Sequence, residues 1–433
     1  MAVMRPANFL ARPMVLHLRY RISAPFEYPC HFRTLAVSLS TARAAPSRPP
    51  RGRLAAVAPW SIMDAEWGPV RGLSGTGGAA ATDERIMGDL LRTEITDRSA
   101  WKGAELAADD SWVHRFSDDE IADIRAAVGA VRSRGLGPFD FGAEDFPLRC
   151  FGEVIEGIGD DLENGTGIVL LRGFPVDDFE IDEVRTFYWG LGSHLGTPIR
   201  QNAKGEYMAE VTDRGYDRAN NNVRGYTTHQ RQRPHCDNAD AVGLLCIHPA
   251  KSGGESMIAS SMTIYNEILR TRPEFLEPLS AGFHFDLRGE GVTGARNEVT
   301  RNRVPVFSYF QGRLSCRYNG KTIIDGMEKA GSPLSPLELE AVEYVRELAC
   351  RDDIRLDLKL AKGDILLLCN HSTLHAREPF EDYPEPARKR RMLRLWVHLA
   401  NGRALAPEFA ERNNTGPRGG VAVTEGAGYW AGP

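Results

Sequence analysis

The sequence predicts a mainly β fold with helices packed outside it, in the form of a β-barrel or jelly roll. Many short apolar runs in the second half of the chain, such as "VGLLCIHPA" and "DILLLCN", are bounded by Gly, Pro, Asn or Asp, as strand ends tend to be. Only two helical inserts interrupt these strands, "SMTIYNEILRTRPEFLEPL" and "SPLELEAVEYVRELACRDD". No G-x-G-x-x-G follows an early strand, so a doubly wound dinucleotide-binding sheet has no support.

Size and composition restrict the class of protein further. The chain has 433 residues and no run of 18 apolar residues, which argues against a membrane-spanning helix. Its seven cysteines are scattered without a C-x-x-C pair, which disfavours a disulfide framework or zinc ribbon and favours the reducing cytoplasm. The net charge of -5 gives no indication of nucleic acid as a partner.

The first 62 residues differ in composition from the rest of the chain. They contain nine arginines and a single acid, Glu27. Three readings are open: a disordered tail, upstream sequence preceding a natural start at Met63, or an organelle transit peptide. The Gly- and Ala-rich "LSGTGGAAATDE" that follows has the composition of a linker. We therefore predict that residues 1–85 lie outside the folded domain.

The next elements form a helical N-terminal part, predicted over 86–165, that leads into the core. "SDDEIADIRAAVGAVRSRG" is an amphipathic helix with Ser117 as N-cap, Glu120 three residues later and Gly135 after its last turn. "GIVLLRGFPV" reads as a buried strand, and "IDEVRTFYWGLGSHLGTP" as a helix that breaks at its glycines. The core is predicted over 166–410, and 411–433 as a C-terminal tail.

The motif "HCD" is the first candidate for chemistry. In an extended chain alternate side chains share a face, so His235 and Asp237 should point into the same space while Cys236 points away. With a second histidine they would form a two-histidine, one-carboxylate triad, which leaves coordination positions open and suits non-haem Fe(II). The alternative is that H-x-D occurs here by chance.

The segment "GDILLLCNHSTLHAREPF" offers two histidines that could complete the triad. His371 and His375 both follow an apolar strand, and both fall on the same face if the chain remains extended. Periodicity therefore does not choose between them. Either histidine could instead cap the strand or form a hydrogen bond in a loop.

The strand "RKRRMLRLWVHLA" supplies arginines on the face opposite to its leucines. Leucines that face outward under helices would aim Arg394 into the barrel, with Arg390 further out on the same face. A buried arginine is costly without an anionic partner, and its guanidinium can bind both oxygens of a carboxylate. The alternative is a structural salt bridge to an Asp or Glu side chain.

Four motifs in this order resemble the taurine dioxygenase and chlorophenoxyacetate dioxygenase family of Fe(II)/2-oxoglutarate oxygenases, which is similar to clavaminate synthase. They are "HCD", "SGGES", "HAREPF" and "RRMLRLW", and the resemblance spans about residues 165–405. It implies a double-stranded β-helix (jelly-roll) core. It also implies Fe(II), 2-oxoglutarate and O2 as the cofactor and cosubstrates.

The resemblance assigns roles by position in the motifs. His235, Asp237 and His375, which begins H-x-R-x-x-F, match the metal ligands, and Arg377 belongs to the same distal motif. Arg394 matches the arginine that pairs with the distal carboxylate of 2-oxoglutarate, and Ser256 stands beside that carboxylate. Arg390 matches a position that contacts substrate or cosubstrate.

The implied activity is hydroxylation of an unactivated C–H bond of a small molecule, with release of succinate and carbon dioxide. Two rival readings are a zinc-dependent hydrolase on the same three ligands and a catalytically silent binding module; the first lacks a motif for a general base such as H-E-x-x-H. The resemblance also implies that the segment 214–235 and the insert 284–307 help form a lid over the substrate. The basic residues His229, Arg231 and Arg233 of this lid favour an anionic substrate. The alternative is that they are solvated loop charges.

Overall fold

The computed structural model describes residues 90–216 and 223–424. The Arg-rich segment 1–62, the linker that follows it, part of the predicted lid at 217–222 and the end of the predicted tail lie outside the described residues. Within the described residues, no helix combines the length and the apolar composition needed to cross a bilayer.

The described residues form helices and strands that cluster along the chain much as the sequence predicts. The α-helices are, in chain order, Gly103–Ala107 (α1), Asp118–Ser133 (α2), Phe151–Asn164 (α3), Ile181–Leu195 (α4), Ser261–Thr271 (α5), Leu276–Ala281 (α6), Gly320–Lys329 (α7), Pro336–Cys350 (α8) and Pro407–Ala410 (α9). The strands are Val113–Arg115 (β1), Ile168–Arg172 (β2), Gly196–Pro198 (β3), Met208–Val211 (β4), Gln232–His235 (β5), Ala241–His248 (β6), Ser252–Gly253 (β7), Ser256–Ser260 (β8), Phe307–Phe310 (β9), Arg313–Cys316 (β10), Leu356–Leu358 (β11), Ile365–Cys369 (β12), Thr373–Arg377 (β13), Phe380–Glu381 (β14) and Arg391–Leu399 (β15).

Two main sheets make up the core, and they confirm the predicted jelly roll. The larger sheet has the order β1-β2-β12-β6-β15-β3, with β4 also paired to β15, and the smaller one has the order β11-β8-β13-β5. Strands distant in sequence are neighbours in both sheets, and apart from the parallel pair β1–β2 the strands of the two sheets pair antiparallel. The sheets remain open at their edges and do not close into a barrel.

Three hydrophobic clusters define the layers. One lies between the larger sheet and α2, α3 and α4, and another lies between the smaller sheet and α5 to α8. The third fills the space between the sheets, where Ile168 and Val242 of the larger sheet share a cluster with Ile258 of the smaller one. Because side chains alternate along a strand, β2, β12, β6 and β15 of the larger sheet each supply residues to both of its faces.

Strand β15 shows how this alternation places polar groups inside the core. Leu393, Leu395, Val397 and Leu399 lie in the cluster under the helices, as the sequence predicts. Met392 and Trp396 lie in the cluster between the sheets, and Arg394 is on that same inner face and buried.

The observed helix ends agree with the capping signals in the sequence. Two helical segments differ from the prediction in their interior: one continues where a break was predicted, and one is divided in two. Ser117 caps α2 and forms the predicted capping box with Glu120. Helix α4 was expected to break at its glycines, but it continues through Gly190 and ends at Leu195. A Cβ at Gly190 would collide with the Phe146 ring, so this glycine serves close packing rather than a helix end. The first helical insert is divided into α5 and α6 by Pro273.

Residues 411–424, predicted as part of a tail, are packed against three other segments. The Asn238 side-chain amide donates to Oδ1 of Asn413 at 2.9 Å. The Asn414 side-chain amide donates to the carbonyl of Val299 at 2.9 Å, and the backbone N–H of Val421 donates to the carbonyl of Arg200. This C-terminal segment therefore joins the insert that precedes β9 to the residues that follow β5.

Gly243 offers a test of core packing on the side of the larger sheet that is covered by helices. It lies in the central strand β6, where a Cβ would collide with the hydroxyl oxygen of Tyr188 and lie 3.0 Å from Cδ2 of Leu367. We expect Gly243→Ala to lower the free energy of unfolding by about 1–3 kcal/mol, because the core is overpacked. Denaturant titration measures this, and Tyr188→Phe in the same chain should recover part of the loss by removing the colliding oxygen.

Candidate functional site

Three side chains converge between the sheets at the edge of the smaller one. His235 ends β5 and is directly paired with His375 of β13, and their ring centroids are 4.3 Å apart. Nε2 of His235 lies 3.8 Å from Oδ1 of Asp237, and Nε2 of His375 lies 3.8 Å from Oδ2. Among the described residues, these three form the only cluster of His, Cys, Asp or Glu side chains whose ligand atoms all lie within 4.8 Å of one another.

The protonation states of this cluster fit a metal ion. Nδ1 of His235 faces the carbonyl oxygen of Arg233 at 2.9 Å, so it carries the proton and leaves the lone pair on Nε2. Burial lowers the pKa of His235, and burial together with the neighbouring His235 lowers the pKa of His375 to about 3. Two neutral imidazoles and one carboxylate are the donor set of non-haem Fe(II) sites.

Asp237 is held ionised by its neighbours. Burial by itself raises the pKa of Asp237, but the Arg394 guanidinium and the two histidines outweigh that effect, and the pKa is about 2. Nη1 of Arg394 lies 3.4 Å from both carboxylate oxygens, and Trp396 donates its Nε1–H to Oδ2 at 2.9 Å. These contacts fix the orientation of the carboxylate toward the two histidines.

The hydrogen bond from Trp396 should contribute to metal affinity. We expect Trp396→Phe, which keeps most of the apolar area, to weaken Mn(II) or Fe(II) binding by about 10- to 100-fold, the usual effect of losing a group that orients a ligand. Anaerobic equilibrium dialysis measures this affinity. Trp189→Phe is the matched control, because the Trp189 Nε1–H donates to the carbonyl of Phe141 at the outer helical layer. Unchanged affinity in the Trp396 variant would contradict the role of this bond.

The structure shows which residues near the two motifs belong to the cluster and which do not. Cys236 points away from the cluster, as predicted, with Sγ 3.6 Å from the carbonyl oxygen of Thr373. His371 lies in the turn between β12 and β13 and pairs with Asp240, at 2.9 Å from Nε2 to Oδ1. The expectation that His371 and His375 share a face fails, because the chain is not extended between Cys369 and Thr373.

Arg394 lies on the inner face of β15, beside Asp237 of the cluster. Its Nε–H donates to Oε1 of Gln201 at 2.8 Å, and its guanidinium carbon lies 4.8 Å from the ring centroids of Tyr226 and Trp396. The carboxylate that Arg394 contacts is Asp237, so the alternative of a salt bridge to an Asp side chain is observed, and its partner is one of the three clustered residues.

Arg390 immediately precedes β15 and is also buried, at 3% exposure. Its Nη2 lies 3.0 Å from Sδ of Met392, and no acceptor among the described residues lies within hydrogen-bonding distance of Nη1. Burial lowers the pKa of this guanidinium to about 10. A buried guanidinium N–H without an acceptor is costly, so this position suits an anionic group.

The "SGGES" and "HAREPF" motifs meet at Arg390. Gly254 has a φ of 75°, which favours glycine, and a Cβ there would be in van der Waals contact with Nε of Arg390 at 3.4 Å. The guanidinium carbons of Arg390 and Arg377 lie 5.0 and 4.8 Å from the centroid of Phe380. Ser256 is buried in β8, directly paired with Arg377.

The basic residues of the predicted lid contact acids of the same chain. Arg231 pairs with Glu378, and Nδ1 of His229 lies 3.1 Å from Oδ2 of Asp213. Arg233, by contrast, is exposed. These contacts favour the reading in which the lid bases serve the local structure rather than a substrate anion.

Several supporting residues were not identified from the sequence. Gln232 places its Nε2 3.0 Å from Nε2 of His235, and Gln201 bonds both the Arg394 side chain and its carbonyl. Gln232 lies three residues before His235 in β5. This closeness to the "HCD" motif is the one feature of the sequence from which its contact with His235 could have been predicted. Gln201 is 193 positions from Arg394, and no local pattern joins them.

Comparisons with known proteins agree with this geometry. The family model described as "Taurine catabolism dioxygenase TauD, TfdA family" matches residues 132–396. FR-33289 synthase of Streptomyces rubellomurinus is 33% identical over 73% of this chain and 94% of its own length. A uridine-5'-phosphate dioxygenase of Amycolatopsis sp is 25% identical over 59% of this chain and 90% of its own. The structure of an asparagine oxygenase with Fe(II), 3-hydroxyasparagine and succinate has a TM-score of 0.53 at 14% identity, covering 66% of this chain and 93% of that one, and shows the same fold.

Proposed function

The chain belongs to the TauD/TfdA family of Fe(II)- and 2-oxoglutarate-dependent dioxygenases, and from this premise we propose that His235, Asp237 and His375 bind the iron. It is an oxidoreductase that uses O2 and hydroxylates its substrate. The observation that carries the assignment is the convergence of two neutral imidazoles on one ionised carboxylate, inside a jelly roll. A zinc-dependent hydrolase and a silent binding module are both disfavoured by this membership and by the intact ligand set.

The two buried arginines Arg390 and Arg394 bind opposite ends of 2-oxoglutarate. The resemblance assigned the distal carboxylate of 2-oxoglutarate to Arg394, but Arg394 contacts Asp237 and so lies beside the metal. We therefore place the keto-acid end of the cosubstrate near Arg394 and its distal carboxylate at Arg390, whose Nη1 is orphaned. Ser256 keeps its proposed place beside that distal carboxylate, on the strand that follows Gly254.

Iron with 2-oxoglutarate supplies oxidative decarboxylation to succinate and carbon dioxide, and the oxidising power for C–H hydroxylation. The protein contributes position and exclusion of water. Trp396 and Arg394 fix the Asp237 carboxylate, and the apolar layer between the sheets keeps the inner face dry. Arg390 orients the cosubstrate through its charge, which fixes the direction from which the substrate can approach.

The substrate is a small molecule, and we propose that it carries an anionic group. One relative is named a uridine-5'-phosphate dioxygenase, which acts on a phosphate ester. The lid bases of this chain are a weaker source of support, because Arg231 and His229 already contact acids.

The test begins with anaerobic Fe(II) and 2-oxoglutarate. A cosubstrate-dependent visible absorbance band with one iron per chain is the expected result, whereas tightly bound zinc without such a band would favour the hydrolase. A screen of small acids, phosphate esters and amino-acid derivatives for stimulated oxygen consumption and succinate release then identifies the substrate class. No stimulation by anionic compounds, with clear stimulation by neutral ones, would contradict the proposed anion.

A further inference from the structure

A second group of buried charges lies behind the metal-binding strand, outside the site described above. Arg317 follows β10, and Arg412 belongs to the C-terminal segment; they are 5% and 3% exposed. The Arg317 side chain donates through Nη2 to the carbonyl of Arg412 at 3.0 Å, so the two residues are in contact.

Each guanidinium keeps two N–H groups without a partner among the described residues. Within 90–216 and 223–424, no acceptor lies within hydrogen-bonding distance of Nε or Nη1 of Arg317, or of Nε or Nη1 of Arg412. The carbon of the Arg317 guanidinium lies 4.4 Å from the centroid of Phe285, which covers it without supplying an acceptor. Buried charged groups are normally paired, so two such arginines in contact are unusual.

The nearby acid, Asp240, is already shared among several donors. It accepts from His371 at 2.9 Å and from Arg418, and its Oδ1 lies 3.5 Å from Nη2 of Arg412. Burial lowers the pKa of His371 to about 3, so this histidine is neutral and uses its Nε2–H on Asp240. Nε2 of His371 therefore cannot also accept from Arg412, although the two atoms are 3.2 Å apart.

The balance of charge in this group is positive. Arg412 and Arg418 together face one carboxylate, and Arg317 faces none among the described residues. The adjacent Arg403 does not alter the balance, because it pairs with Glu163 at 2.7 Å. Like charges in contact inside a protein repel strongly, which an anion between them would reverse.

The position of the group connects it to the metal-binding residues. The backbone N–H of Cys236, between two of the proposed ligands, donates to the carbonyl of Tyr318, the residue after Arg317. Asn413, next to Arg412, accepts a hydrogen bond from Asn238 at 2.9 Å. Phe285 belongs to the insert that the sequence assigned to the substrate lid.

We propose that Arg317 and Arg412 form a binding site for an oxyanion, a carboxylate or a phosphate-like group, in the layer between the smaller sheet and its helices where Phe285 packs. This site is additional to the proposed function, because it binds an anion away from the metal-binding face of the smaller sheet. A planar guanidinium offers parallel N–H donors that match two oxygens of such a group, and the orphaned Nε and Nη1 of each residue supply them.

The experiment uses the full chain loaded anaerobically with Fe(II) and 2-oxoglutarate, in an amine buffer without oxyanions. Phosphate, propylphosphonate and butyrate are titrated while the unfolding midpoint and the visible band are recorded. We expect a saturable rise in the midpoint, and Arg317→Gln and Arg412→Gln should each weaken binding about tenfold or more while keeping the band. The visible band should stay unperturbed in these titrations, because the two arginines lie on the side of the strand turned away from the triad. Perturbation of the band by the alkyl probes would overturn a separate site, because the anion would then bind beside the metal.

Stability without added anion gives an independent readout. Arg317→Gln removes an unpaired buried charge, so its unfolding midpoint should equal or exceed that of the parent chain, whereas Arg403→Gln breaks a pair and should lower it. If the glutamine variants fail to fold, Arg317→Lys should still weaken anion binding severalfold, because the fork of donors is lost. Equal anion affinity in parent and variants, or no saturable binding by the parent, overturns the proposal. Absence of the band in the parent would instead contradict the proposed function.

Discussion

Asp237→Ala is expected to abolish 2-oxoglutarate-dependent succinate formation and to weaken Fe(II) binding by more than about 100-fold, beyond the range for losing a group that merely orients a ligand. The carboxylate is the one anionic donor of the triad, and its pKa of about 2 keeps it ionised throughout the neutral range. Its removal leaves two neutral imidazoles to hold a divalent cation. It also leaves the buried Arg394 guanidinium beside the vacated position, which repels the ion.

The measurement is anaerobic Fe(II) titration followed by a succinate assay on the same samples. Asp364→Ala is the matched control, because Asp364 is also a buried carboxylate but pairs with Arg172 at 3.2 Å, remote from the triad. The control should lose stability and keep its iron affinity. Succinate formation by the Asp237 variant, without any added carboxylate to replace the lost ligand, would falsify the assigned metal site.

The triad residues could be predicted from the sequence where the backbone is extended, but not where it forms a turn. His235 and Asp237 share a face because the chain is extended as β5 ends, and Cys236 turns away for the same reason. The choice between His371 and His375 depended on whether the chain stays extended after β12. It forms a turn there, and no periodicity argument detects that turn. The resemblance of "HAREPF" to a family motif therefore carried the choice of His375.

The fold class could also be predicted from the regular alternation of side chains along the strands. Contacts between residues distant in sequence could not be predicted in this way. Alternation along β15 predicted an outer row of leucines and an inner arginine, because one face of the strand packs under helices. The roles of Gly190 and Gly243 depend on Phe146 and Tyr188, which approach from other elements. The packing of the C-terminal segment rests on side-chain amides such as Asn413, whose partners no local pattern indicates.

The pair Arg390 and Arg394 shows where the resemblance and the geometry differ, and kinetics can decide between them. We expect Arg390→Gln to raise the KM for 2-oxoglutarate by roughly 10- to 150-fold, the loss of about 1.5–3 kcal/mol for a hydrogen bond to a charged group. The kcat should change much less, and Fe(II) affinity should not change, because Arg390 does not contact the triad. Arg394→Gln should weaken Fe(II) binding as well, since Arg394 contacts Asp237.

Initial rates of succinate formation over a range of 2-oxoglutarate concentrations separate these effects, with Fe(II) affinity measured in parallel. Arg391→Gln is the matched control, because Arg391 is the next residue and begins β15, but its side chain is half-buried and pairs with Glu210. The control should leave the KM unchanged. If Arg394→Gln raises the KM with iron affinity intact, while Arg390→Gln resembles the control, the distal carboxylate belongs to Arg394. The orphaned Nη1 of Arg390 would then need another anionic partner.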